Sequence, residues 1–210
     1  METATNFGGP YVLLPKRLAR EWSMAIGDDP VPESGLYGEV CGSQDFMHLI
    51  SFQGVTVVRI ADDPCDLFLI PNDRGWLVLQ WVAADSLDDL VAFGQKVASA
   101  DEWQETLEFT ITDRELRIMD SCGFDGDDQP KIDFLVDPGE YQISATYAED
   151  ENTMATVFQL TKKDQANNKK FWDAYGKLPL RVQRVADENF QLLKADPVHP
   201  SLHFKKVGRY

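Results

Sequence analysis

The stretch Gly75-Trp76-Leu77-Val78-Leu79-Gln80-Trp81-Val82-Ala83-Ala84-Asp85 decides the fold of this 210-residue chain. A turn signal, Pro71-Asn72-Asp73-Arg74-Gly75, precedes it, and Asp85-Ser86 closes it with residue types that cap helices. In an extended chain, successive side chains point to opposite faces. Trp76, Val78, Gln80 and Val82 therefore share one side, and Leu77, Leu79, Trp81 and Ala83 the other. One side is wholly apolar and the other is broken only by Gln80, so cover is expected on both. The stretch reads as a central strand between helices or against a second sheet.

Upstream, Gly8-Gly9-Pro10 reads as a turn before a strand at Tyr11–Leu14, with Pro15 in the first turn of a helix reaching about Met24. Leu14, Leu18 and Trp22 recur at helical spacing, while Lys16, Arg17 and Arg20 face water. Residues 27–45 read as loop. Met47–Ser51 and Val55–Ile60 flank Gln53-Gly54 and predict a hairpin, followed by a short strand at Asp66–Ile70. Downstream, Ser86 is expected to cap a helix to about Ala100 whose apolar face carries Leu87, Leu90, Val91, Gly94, Val97 and Ala98. Asp88 and Asp89 sit in its first turn, where the helix dipole favours acids. Further strands are expected at Leu107–Ile111, Glu115–Met119, Ile132–Val136, Tyr141–Tyr147 and Ala155–Leu160.

Val58–Asp62 resembles Leu116–Asp120, and each is followed by a short strand and then a longer one. The longer strands are Gly75–Asp85 and Gly139–Asp150. The pattern predicts two duplicated β units with a helix between them, chance agreement between short β segments being the alternative. Glu140, Gln142, Ser144 and Thr146 make the second copy more polar, so it is expected to expose one face. Beyond Lys163 the periodicity turns helical. Gln165–Tyr175 and Leu180–Ala195 flank Gly176-Lys177-Leu178-Pro179 and predict a helical hairpin with Phe171, Trp172, Tyr175, Val182 and Val185 between the two. A last short strand is expected at Leu202–Tyr210. The fold class is α+β. A mostly antiparallel β-sheet domain with one or two packed helices fills residues 1–163, and a basic helical hairpin fills 164–210.

Charge divides the chain at the same place. Residues 1–161 hold 9 Lys and Arg against 30 Asp and Glu, a net charge of −21; residues 162–210 hold 11 against 5, a net of +6. An acidic body of this kind either keeps the protein dispersed or steers a basic partner towards it. Its acids gather in stretches that read as loops: Asp28-Asp29, Asp62-Asp63, Asp125-Gly126-Asp127-Asp128 and Glu149-Asp150-Glu151. Loops held by a sheet commonly carry binding residues, so Asp28, Asp29, Asp62, Asp63, Asp125, Asp127, Asp128, Glu149, Asp150 and Glu151 are the candidate partner-binding set.

Catalytic and metal signatures are sparse. Cys41, Cys65 and Cys122 are far apart in sequence and read as free thiols. His48 stands alone in the acidic body, and His199 and His203 flank a proline region without a neighbouring carboxylate. No glycine-rich phosphate loop occurs, so no nucleotide cofactor is expected. Counted as an EF-hand from Asp120, the cluster puts Asp125 where glycine is required and Lys131 where glutamate is required. An irregular cation site at Asp125, Asp127 and Asp128, serving a cation-dependent enzyme, stays as one alternative, and a small-ligand or scaffold module as another. No apolar run reaches membrane-spanning length, and Met1–Asn6 lacks the basic and apolar segments of a secretory signal, so a cytoplasmic protein is expected.

Three segments carry a family resemblance: Gly8–Pro15 with Trp22, Gly75–Ser86 followed by Trp103, and Asp137-Pro138-Gly139-Glu140-Tyr141-Gln142-Ile143. From about residue 8 to residue 162 the chain resembles the immunity protein twenty-one family of bacterial polymorphic toxin systems. The resemblance implies a cytoplasmic protein that binds and neutralises a cognate toxin, with no catalytic residue to carry over. Asn168–Tyr175, Ala186–Pro197 and His199–Gly208 are similar to the first part of a RelE-type toxin. In that family the RNA-cleaving residues come later than the point where this sequence ends, so a fragment without that activity is implied. Together these readings predict an immunity protein that meets a basic toxin, with a nuclease suited to the charge and no direct contact with nucleic acid or membrane.

Overall fold

The structure is a computed structural model that describes residues 2–6, 8–27, 35–43, 45–61, 64–123, 130–163 and 174–195. Its strands are β1 (Glu2–Ala4), β2 (Tyr11–Pro15), β3 (Met47–Phe52), β4 (Val55–Ile60), β5 (Leu67–Asn72) and β6 (Gly75–Ala83). They continue with β7 (Glu105–Ile111), β8 (Glu115–Asp120), β9 (Ile132–Leu135), β10 (Gly139–Glu149) and β11 (Met154–Lys162). The helices are α1 (Ala19–Gly27), α2 (Leu36–Cys41), α3 (Leu87–Ala100) and α4 (Leu180–Ala195). The chain divides into two compact units, Met1–Gln165 and Ala166–Tyr210.

In the first unit the strands form two antiparallel sheets, ordered β1-β5-β6-β11-β10-β7 and β3-β4-β2-β8-β9. This is an α+β fold. The Gly75 stretch is β6, an interior strand of the first sheet, paired with β5 on one side and β11 on the other. Its alternation places the two faces as expected. Val78 joins the core between the sheets with Phe158, Leu160, Ile143, Leu13, Val58 and Ile118. Leu77 and Leu79 face the other way and pack with Val157 under Leu90 and Phe93 of α3. A third core lies on the far face of the second sheet, where Val12, Leu14, Ile50 and Val57 meet Leu18 and Trp22 of the α1 region and Val40 of α2. The result is four layers, helix–sheet–sheet–helix; α3 covers β6 and β11, while Thr106, Glu108 and Thr110 of β7 and Glu140 of β10 leave the rest of that outer face exposed.

Local chemistry explains several joints. Ser86 caps α3 by accepting from the Asp89 amide at 3.2 Å. Gly94 lets that helix lie directly on β6, because a Cβ there would run into the Leu79 side chain. Gln53 (φ 48°) and Gly54 (φ 79°) form the tight turn of the β3–β4 hairpin. The Trp22 indole donates to the Ser121 carbonyl at 2.9 Å, and the Ser23 hydroxyl donates to the Gly123 carbonyl at 2.9 Å. Helix α1 thereby holds the chain leaving β8. The Glu105 carboxylate accepts from the Phe46 and Met47 amides, both at 3.0 Å, and ties the edge of one sheet to the edge of the other.

Four expectations change. Pro15 is not helical: it pairs with Leu116 as the last residue of β2, and the turn Lys16–Leu18 is a 3-10 helix before α1. Residues read as loop contain helix α2, whose six residues are too few to show a clear period. Phe93 joins Leu87, Leu90, Val91, Gly94, Val97 and Ala98 on the apolar face of α3. The duplicated units agree only at their ends. β4 and β8 flank β2, and β6 and β10 flank β11, but β5 pairs in the first sheet while β9 pairs in the second. A two-residue offset accompanies this: Ile60 and Asp120 both stand opposite Tyr11, rather than Ile60 and Ile118.

In the second unit α4 follows the turn at Lys177-Leu178-Pro179. The Tyr175 hydroxyl lies 2.7 Å from the Gln183 carbonyl and 2.5 Å from a carboxylate oxygen of Asp187, which anchors the turn to the helix. The Gln183 amide donates to the Leu178 carbonyl at 2.7 Å. The first part of the expected hairpin, with Phe171 and Trp172, and the strand expected at Leu202–Tyr210 lie outside the described residues.

Candidate functional site

Three of the ten candidate acids fall within the described residues. Glu149 ends β10, and Asp150 and Glu151 form the exposed turn into β11. Asp28, Asp29, Asp62, Asp63, Asp125, Asp127 and Asp128 lie outside them. One Asp150 oxygen accepts from the amides of Asn152 and Thr153 at 3.1 and 3.0 Å, and its own amide donates to the Thr153 carbonyl at 2.9 Å. The carboxylate therefore shapes the turn that presents it.

That turn forms one wall of a cleft of about 350 Å³. Asp150, Asn152 and Thr153 face Asp85, Asp89, Ala92, Phe93 and Lys96 across it. Asp89 also bonds the Ser86 hydroxyl at 2.5 Å, so its role as a helix-capping acid and its place in the cleft coincide. The lining joins Ala92 and Phe93 to three carboxylates and one ammonium, a mixture suited to the aliphatic stem and charged head of a Lys or Arg. Asp85 and Asp89 had been legible only as cap and first-turn residues; the β10–β11 turn closes on them solely through tertiary packing.

On the opposite side of the same turn the first sheet runs past its cover. Val82, Tyr147 and Met154 are 37%, 37% and 39% exposed, although Val78, Phe158 and Ala145 further along the same face are buried. The register brings them together. Met154 stands opposite Ala83 on β6 and opposite Glu149 on β10, with Tyr147 one step along, and the β6–β11 register shifts between Met154 and Ala155. The Tyr147 hydroxyl donates to Glu149 at 3.1 Å. Partial desolvation and then that bond hold the phenol above its ordinary pKa, so it stays a donor.

Apart from Lys96 in the cleft, several cations of this unit are engaged elsewhere. Arg17 binds Asp113 at 2.6 Å, Arg117 binds Asp133 at 2.7 Å with Lys16 3.1 Å from the same residue, and Arg74 binds Asp101 at 2.7 Å. Arg17 holds Asp113, and Arg117 with Lys16 holds Asp133, below the usual carboxylate range. Arg74 sits before the first residue of β6, and Lys162 and Lys163 at the last of β11, so the two ends of these strands carry opposite charge.

No nucleophile–base pair or metal cage is built by the described residues. His48 lies 4.0 Å from Glu39 on the edge of the second sheet. Among the described residues no group of three His, Cys, Asp or Glu side chains could hold a metal ion. Cys122 and Cys41, distant in sequence, are within hydrogen-bond contact, and burial pushes the Cys122 thiol up to about 11. Among the described residues no helix is long and apolar enough to cross a membrane.

The first unit is thus a layered α+β domain with an acidic, partly apolar exposed end. Its family is given by sequence comparison: the sequence model of immunity protein 21 matches residues 3–154, and the chain belongs to that family. No curated protein and no solved structure matches the chain. The family match spans β1 to the first residue of β11, so it covers most of the first unit, and none of the comparisons supports the RelE-type likeness of the tail.

Proposed function

We propose that this immunity protein neutralises a cognate bacterial toxin by direct contact in the cytoplasm, without catalysis of its own. The observation that carries the reading is the family match across residues 3–154. The net charge of −21 over residues 1–161 supports a toxin with a basic contact face, and a nuclease has such a face because it must bind phosphates. In that arrangement the acids occupy the toxin's basic groups, and the protein needs no nucleic-acid contact.

The test is co-expression with the cognate toxin domain, sought first among the genes adjoining this chain's own. Growth restored by this chain, and not by an immunity protein from another system, supports the reading. Unrelieved growth arrest with both proteins made at comparable levels counts against it. A toxin with an acidic contact face would remove the nuclease and charge-complementarity part while leaving neutralisation standing.

A further inference from the structure

We infer that the toxin docks on the uncovered end of the first sheet, where Val82, Tyr147 and Met154 form an apolar centre beside the β10–β11 turn. The inference rests on the neutralisation reading above and adds the surface that performs it. Three observations converge there. Large apolar side chains in a layered fold are normally covered, and on β6, β10 and β11 they are covered until the strands pass beyond the second sheet. The three exposed residues come from three adjacent strands, so they make one contiguous patch rather than scattered single side chains. The register shift between Met154 and Ala155 lies within this patch, and such bulges re-aim side chains at binding edges.

Charge decides what the patch fits. Glu149 and Asp150 border it, and beyond the turn the cleft adds Asp85 and Asp89 with Lys96 in their midst. Arg17, Arg74 and Arg117 are tied into ion pairs elsewhere, so the acids at this end retain their field. An aromatic, a methionine and a valine bordered on the turn side by carboxylates match a basic protein surface with an apolar centre. Tyr147 and Met154 supply the anchoring area, the acids speed encounter, and the cleft takes one Lys or Arg side chain of the toxin. These are separable contributions. Anchors act on dissociation, and rim charges act on association and its salt dependence.

The experiment uses the full chain and the catalytically inactivated form of the toxin domain that passes the co-expression test. Binding rates are measured for the wild type, for Tyr147→Ala with Met154→Ala, for Glu149→Lys with Glu151→Lys, and for Leu135→Ala on an exposed residue of β9. The anchor pair is expected to weaken binding about 100-fold or more, chiefly through faster dissociation. The charge-reversed pair is expected to slow association about tenfold at low salt, with the difference shrinking as salt rises. Leu135→Ala is expected to bind as the wild type does. Hydrogen exchange on the unmutated complex gives a reading independent of variant folding: amides of residues 147–154 should be protected. Variants within about threefold of wild type, or protection that leaves 147–154 untouched, would overturn the surface while leaving neutralisation intact. A wild-type chain that does not bind the toxin at all would instead overturn the neutralisation reading.

Discussion

Cys122 shows how a single group's chemistry follows from its burial. Its thiol, pressed against Ser121 and in contact with Cys41, is held up to about 11, so at pH 8 almost none of it is thiolate. Alkylation of the folded protein should therefore be slow at Cys122 and rise roughly tenfold per pH unit up to about 11, while in denaturant it should match an ordinary cysteine. Site-resolved mass spectrometry after iodoacetamide labelling reads this directly; fast labelling of native Cys122 at pH 8 would show that the contact is wrong. Asp113 shifts the other way. Arg17 lowers its pKa below 3.8, so the folded state favours the ionised form. The resulting stability is present above about pH 4 and fades as pH falls through the folded value. Arg17→Ala should cost about 0.5–1 kcal/mol at pH 7, a cost that disappears once acid has protonated Asp113, measured by urea unfolding across pH. Neither environment was legible in the sequence, because Cys41 and Cys122 are 81 positions apart and Arg17 and Asp113 are 96.

Elements with a strong local period read out well. The β3–β4 hairpin, the Ser86-capped helix and the Gly75 strand all follow from spacing, turn residues and a cap, each a contact within a few residues. Two kinds of feature escaped. Helix α2 is six residues long, under two turns, and gives no periodic signal. The partner of each strand is a long-range choice, which is why β5 and β9 look equivalent in sequence yet pair in different sheets. Gly94 sits at such a long-range joint, where α3 rests on β6. Gly94→Val should destabilise the domain by about 1–3 kcal/mol because the new side chain overlaps Leu79 and neither helix nor strand can withdraw. A melting curve unchanged within 1 °C would mean that α3 is packed less closely than the structure has it.

At the scale of the whole molecule, the first unit shows an asymmetry along its first sheet. One end of β6 and β11 carries Arg74, Lys162 and Lys163; the other carries Asp85, the Glu149–Glu151 turn and the exposed Val82, Tyr147 and Met154. The acidity of the chain was plain from composition, and the choice of Glu149, Asp150 and Glu151 followed from their loop. The meeting of Asp150 with Asp85 and Asp89 was not, since α3 must fold back over β6 and β11 before the cleft exists. The apolar patch was equally hidden: Val82, Tyr147 and Met154 carry no polar signal and fit a buried strand as well as an exposed one. The most direct test of the central claim is titration of the active cognate toxin domain with this protein, following complex formation and toxin activity together. The account predicts a one-to-one complex with activity lost in step with binding and complete at equivalence. A toxin that stays fully active in the presence of excess protein would contradict it.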